Sequence, residues 1–361
     1  MHTGVKGLNE IVQGIRPVDG AIVDQARAHT ADLIMPPRAL GRLHDLAERL
    51  CGIQARLDPS LDKKSVLVFA ADHGVTTEGV SAFPQVVTME MIRCFLSGKA
   101  GINAICRHVE AEVRVADLGV VPDLEAELTE GLEGLTVRKI GRGTQNLARE
   151  AAMSRQQAEQ SLLAGFEVAS ESIRQGTTIL GTGDMGIGNT TPSAAVGCLL
   201  TGSSLDAMIG PGTGVDQDGL ARKRQAIQSG LSVNDPDPAD GLDVLAKVGG
   251  FEIGGIAGCI LAGAYYRVPV VVDGFISTAG ALIAQSLCPA SRDFMFAGHC
   301  SEEPGHARML SFLGLEPILC LGMRLGEGTG GALAMNLFEA ALRVFNEVAT
   351  FSQAGVSEKL A

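Results

Sequence analysis

The chain has no tryptophan and only 2 tyrosines among its 361 residues. Proteins that hold single-stranded nucleic acid stack bases on aromatic rings, and few rings are on offer. No Lys/Arg-rich block stands out and the formal charge is −12, which argues against a DNA or RNA partner. Long apolar runs are missing too. The most apolar stretches are broken by glycine or charge before the ~18 residues a membrane helix needs, so no membrane span is expected. The opening MHTGVKGLNEIVQGI lacks the apolar core of a signal peptide. None of the 8 cysteines forms a Cys-x-x-Cys pair, and most sit in apolar segments such as AAVGCLL. They read as reduced core residues of a cytoplasmic protein, not as a disulfide frame or zinc site. His-x-His, His-Glu-x-x-His and Gly-x-Ser-x-Gly are absent, so metal catalysis and serine hydrolysis lack support.

What the chain has is glycine, 46 residues, in a background that is 46% hydrophobic. That length supports one large α/β domain or a large and a small unit. A small anion can still bind at loops and helix ends, because such sites act locally. Residues 1–56 carry apolar positions at helical spacing. A second rhythm follows. Short β-rich runs at 65–71, 113–118, 136–140, 177–181, 268–272, 294–297 and 317–321 alternate with helical segments at 154–175, 217–231, 242–248, 276–287 and 304–312. This alternation predicts a doubly wound, mostly parallel sheet. The unbroken apolar character of SVLVFAA and VPVVVDG suits strands buried on both faces. The helical ends, 1–56 and 332–361, are expected to form a smaller helical domain beside a catalytic α/β domain at 57–331.

In an open α/β sheet, ligands bind beyond the carboxyl ends of the strands. After the first run come Asp72 and His73. Asp72 is expected to satisfy loop amides and His73 to be structural, since neighbours in a strand point to opposite faces. GTGDMGIGNTTP at 181–192 is a strand, a glycine loop and a helix start, with Thr191 as candidate cap and Pro192 in the first turn. That arrangement cradles phosphate or simply makes a tight turn. GPGTGVDQDG at 210–219 repeats the idea, with Asp216 or Asp218 as cap and Lys223 on the helix. Lys223 either reaches a phosphate or is exposed, as lysines usually are. Glu252 lies in an apolar, glycine-rich helix, where an unpaired carboxylate is costly. Asp273 ends a strand. LGEGTGG places Glu327 between glycines ahead of a long helix that Thr329 can cap. Glycine loops, carboxylates and one lysine at strand ends describe carboxylate-assisted chemistry on a phosphorylated small molecule.

GDMGIGNTTPSAA, DGLDVLAKVGGFEIGGIAG, VPVVVDGFIS and MRLGEGTGGALAM, in that order, resemble the nicotinate-nucleotide–dimethylbenzimidazole phosphoribosyltransferase family of cobalamin nucleotide-loop assembly. The resemblance covers nearly the whole chain. It implies a Rossmann-like α/β domain with a small helical domain built from both ends, and a homodimer. The implied reaction moves phosphoribose from nicotinate mononucleotide to 5,6-dimethylbenzimidazole, with inversion at the anomeric carbon and no metal or cofactor. Glu327 matches the family's catalytic general base. The resemblance also implies substrate binding by Asp184, Gly186, Gly188, Asn189, Thr190, Thr191, Gly212, Gly214, Lys223, Glu252, Asp273, Gly328 and Thr329. Ser81, Gln85, Met89 and Leu325 fall in the segments implied to line the base pocket. One departure stands out: Asp184 and Glu252 occupy positions where the family usually has Glu and Asp. If the two acids face one another, the swap is compensatory. Two other readings remain: a paralogue serving a different benzimidazole, a purine or a phenol, and a non-catalytic nucleotide-binding module. A nicotinamide-dependent dehydrogenase is disfavoured, since no Gly-x-Gly-x-x-Gly follows the first strand.

Overall fold

The computed structural model describes residues 7–128, 133–212 and 214–357. Residues 1–6 and 358–361 of the expected helical unit, and Thr213 of the second glycine loop, lie outside the described residues.

Six strands form one parallel sheet: β1 Lys64–Ala71, β2 Ala111–Gly119, β3 Leu135–Val137, β4 Ile179–Met185, β5 Val270–Val272 and β6 Met295–Ala297. Their order is β3-β2-β1-β4-β5-β6, the Rossmann order, which reverses direction between β1 and β4 and opens a crevice there. β1 is the centre of the sheet and every residue of it is buried. Its continuous apolar run is what burial on both faces demands.

Most boundaries shift by one to three residues from the sequence reading, and two readings change more than that. The glycine-rich GTGDM does not leave the sheet. It stays paired with β1 as far as Met185 opposite Ala70, because ladder hydrogen bonds use the backbone and are indifferent to missing side chains. The run at 317–321 is not a strand. Only Leu319 bridges, to His299 beyond the end of β6.

One helical layer is built by close approach. Helix Phe251–Tyr266 packs on helix Arg155–Arg174. A Cβ at Gly165 would lie 2.0 Å from the Gly255 carbonyl oxygen, so only glycine lets these backbones touch. At the other side of the molecule the chain ends meet. Helix Arg42–Gln54 packs on helix Thr329–Glu347, Leu33 bridges Thr350, and the His29 ring lies edge-on to Phe345 at 4.6 Å. Helix Leu8–Gly14 instead packs on Phe251–Tyr266, and helix Thr329–Glu347 reaches β4 and β5. No helix among the described residues is long and apolar enough to cross a membrane.

Candidate active site

A cavity of about 640 Å³ opens beyond the carboxyl ends of β4, β5 and β6. Glu327, Asp184, Gly186, Asn189, Thr190, Gly212 and Leu325 line it, brought together from three separate stretches of the chain.

Glu327 sits in a strained turn. Its φ is 62°, and Gly326 and Gly328 beside it have φ of 77° and 89°. Three successive left-handed residues cost energy, about 1 kcal/mol or more at the non-glycine position, so something must hold the turn. Asp273 does. Its Oδ2 accepts from the Gly328 amide at 3.2 Å and its Oδ1 from the Gly331 amide at 2.8 Å. A carboxylate from β5's end thereby satisfies the free amides of helix Thr329–Glu347. On the other side, a Cβ at Gly183 would lie 2.5 Å from the Glu327 carbonyl oxygen. β4 therefore has to present glycine where the turn crosses it. Thr329 does not cap the helix. The cap is Gly328, and the Thr329 hydroxyl, in the first turn, donates to the Gly326 carbonyl at 2.8 Å.

The Glu327 side chain is buried, and its Oε2 accepts from the Ile102 amide at 3.2 Å, at the start of helix Gly101–His108. Burial pushes its pKa up; the Ile102 hydrogen bond opposes this and the charge of Asp273 adds to it. Burial also raises Asp273, against the pull of His299 and of the amides that it binds.

Asp184 is pushed up to about 8 by burial and by Asp273, with Asn189 opposing and Glu252 and Glu327 adding. Asn189 Nδ2 donates to Asp184 Oδ2 at 2.9 Å. Asn189, not Thr191, stands at the start of helix Thr190–Thr201, and its side chain serves Asp184 in place of the helix amides. A native carboxyl at about 8 and an unfolded one near 3.8 means the folded chain binds more protons in between. Stability from this group therefore falls as pH rises from about 4 to 8. Asp184→Asn keeps an acceptor for Asn189. We expect it to be at least about 1 kcal/mol more stable than the parent at pH 8 and level with it near pH 4. Urea titrations at both pH values test this; an equal offset at the two would sink it.

The two swapped acids have separate partners. Glu252 is fully buried, and its Oε1 is 2.9 Å from His73 Nε2. Burial works to lower the His73 pKa, but Glu252, with Asp72 and Asp184, outweighs it and the pKa is raised. Glu252 lies outside the cavity wall, with His73 as its partner. Asp72 accepts from the Val121 amide at 2.8 Å.

Lys223 is 1% exposed. Its Nζ donates to Thr190 Oγ1 at 3.0 Å and to the Gly210 carbonyl at 2.9 Å. Burial lowers its pKa to about 8, against the charge of Glu303. Asp216 caps this helix, Gln217–Asn234, accepting from Gly219 at 2.8 Å. Gly188 and Gly214 have positive φ, at 89° and 108°, and shape their loops. Thr191 is buried with its hydroxyl unpartnered.

The apolar wall comes from Phe83, Val87 and Met91. Ser81, Gln85 and Met89 have the same four-residue spacing two positions earlier. Ser81 Oγ accepts from Phe83's amide, Gln85 Oε1 from Thr76, and Met89 packs into the core. Two positions are about 200° around a helix, so on helix Val87–Leu96 Met89 faces away from Val87 and Met91; Ser81, Phe83 and Gln85 lie in the loop before it. Sequence reasoning also passed over His299, Ser301, Glu303 and Arg324, which line the cavity. The first three follow β6, so reading past that strand's end as past the others would have reached them. Among the described residues no group of three or more His, Cys, Asp or Glu could hold a metal ion.

A Rossmann-order sheet with a buried lysine, a glycine loop and a buried glutamate around a cavity at its carboxyl edge places the chain among α/β proteins with a small-molecule site there. The family model described as phosphoribosyltransferase matches residues 15–356. The chain belongs to the nicotinate-nucleotide–dimethylbenzimidazole phosphoribosyltransferase family, enzymes of the glycosyltransferase type. It is 52% identical over 351 residues to the member from Geobacter sulfurreducens, covering 97% of this chain and 98% of that one. The member from Desulforudis audaxviator is 51% identical with the same coverage. Two Thermus thermophilus crystal structures, one titled as this phosphoribosyltransferase and one as CobT, match with TM-scores of 0.88 and 0.89. They are 46% and 48% identical, covering 94% of this chain and all of theirs.

Proposed function

We propose that this chain transfers phosphoribose from nicotinate mononucleotide to 5,6-dimethylbenzimidazole, releasing nicotinate and α-ribazole 5′-phosphate. The observation that carries the reading is Glu327 on the wall of one cavity, between the apolar Phe83–Val87–Met91 side and the Thr190–Gly212 side that Lys223 backs. The pyridinium leaving group is cationic and departs neutral, so it needs no general acid. The incoming benzimidazole attacks through one ring nitrogen and loses the proton on the other. Glu327 takes that proton. Attack opposite the leaving group turns the β anomer into the α.

The phosphate is assigned to Lys223, Thr190 and the glycine loops at 183–191 and 210–214. Lys223→Met is expected to raise the KM for nicotinate mononucleotide about tenfold or more, the scale of a lost charged hydrogen bond, with kcat changed less. An unchanged KM would remove Lys223 from the phosphate site. In the same reading the enzyme is a cytoplasmic homodimer, with a helical unit made from residues 1–56 and 332–361. A panel of bases offered with nicotinate mononucleotide tests the acceptor. Dimethylbenzimidazole is expected to turn over fastest; a faster purine or phenol would overturn that choice, and no nicotinate release with any base would overturn the reaction.

A further inference from the structure

Of the 8 cysteines, five are buried, Cys94 and Cys300 are half-buried and Cys320 is exposed. Two of the accessible three are neighbours. His299 bridges Leu319 in parallel, the Leu319 amide donating to Gly298 at 3.1 Å and the Cys300 amide to Leu319 at 2.8 Å. The next residues in register are Cys300 and Cys320. Adjacent strands lie about 4.8 Å apart, inside the Cα separation that a disulfide spans. Side chains alternate along extended backbone. His299 and Ser301 face the cavity, so Cys300 is turned the other way, toward the more open side where Cys320 stands.

From this geometry we infer that Cys300 and Cys320 are a dithiol site that closes to a disulfide by exchange with a small-molecule disulfide. The exposed Cys320 thiolate attacks one sulfur of the reagent, forming a mixed disulfide and expelling one thiolate. The Cys300 thiolate then attacks the Cys320 sulfur, forming the intrachain bond and expelling the second thiolate. The two cysteine protons end on the two reagent thiols, so the reagent disulfide is reduced and the pair oxidised by two electrons. Accessibility decides which sulfur moves first. Burial, and the charge of Cys320 beside it, push the Cys300 thiol up. Cys51, Cys106 and Cys198 are buried and pushed up to about 12, which keeps them out of the exchange. The bond would tie both ends of the excursion that carries Ser301 and Glu303 into the cavity, just ahead of the segment leading to Glu327.

The reduced full-length enzyme, treated with oxidised glutathione at pH 8, is expected to lose two thiols and regain them with dithiothreitol. Trypsin cuts after Arg292, Arg308 and Arg324, giving peptides 293–308 and 309–324 with one of these cysteines each. Mass mapping should find the two peptides joined. Cys300→Ser should stop at a glutathione adduct on Cys320, and Cys320→Ser should form no bond. A persistent glutathione adduct on native Cys320, no thiol loss, or Cys320 joined to Cys320 of a second chain would each overturn the inference.

Discussion

Glu327→Gln is expected to lower kcat about 10²-fold or more while nicotinate mononucleotide still binds. The substitution keeps shape and keeps an oxygen to accept from the Ile102 amide, now at 3.2 Å from Oε2. What it removes is the proton acceptor. The native profile should carry its own signature. Burial and the charge of Asp273 hold the Glu327 pKa above the ordinary 4.5, against the Ile102 hydrogen bond. A base works only when deprotonated, so kcat/KM should rise with pH through that elevated value, and the Gln variant should lose this limb. Nicotinate release across a pH series, with binding of nicotinate mononucleotide measured separately by calorimetry, reads both quantities. A variant with near-normal kcat, or one that keeps the acidic limb, ends the general-base assignment.

Why Glu327 and Asp273 were legible in the sequence, while the bonds between Asp273 and the Glu327 turn were not, has a physical reason. A carboxylate between glycines at a helix start is a local anomaly, visible in seven letters of sequence. The strands of the sheet were visible for a related reason: burial on both faces writes a continuous apolar run, as in β1 and β5. Backbone-only information left less trace. The extension of β4 through Gly183 and Asp184 rests on ladder bonds to β1, and no side-chain pattern marks it. The resemblance placed Ser81, Gln85 and Met89 in the base-pocket segment, but which side chains of that segment turn inward depends on the local course of the backbone, and Phe83, Val87 and Met91 are the ones that line the cavity. The swap at Asp184 and Glu252 was read as one question about two facing acids. The fold divides it, since Asn189 holds one acid at the cavity and His73 holds the other in the core. Such pairings join residues 5 and 179 positions apart, and the second kind exists only once the sheet has formed.

Asp273→Ala is expected to cost both stability and rate, because this carboxylate holds the turn that aims Glu327. Its removal strands the buried amides of Gly328 and Gly331, at about 1–3 kcal/mol each where no water reaches them. The melting temperature should fall by several degrees. With the turn released from its left-handed geometry, kcat should drop on the order of 10²-fold, since a misplacement of about 1 Å is enough for that. Asp273→Asn keeps one acceptor oxygen and should lose less of both. A slower enzyme alone would not show that Asp273 acts through Glu327, so the decisive comparison is a double-mutant cycle. If Asp273 works by placing the base, adding Asp273→Ala to a Glu327→Gln background should slow the residual reaction little, because the group being placed is already gone. Additive losses would mean that Asp273 serves the reaction by another route, such as steadying positive charge on the ribose. A single variant with native rate and native melting temperature would mean that the turn holds itself.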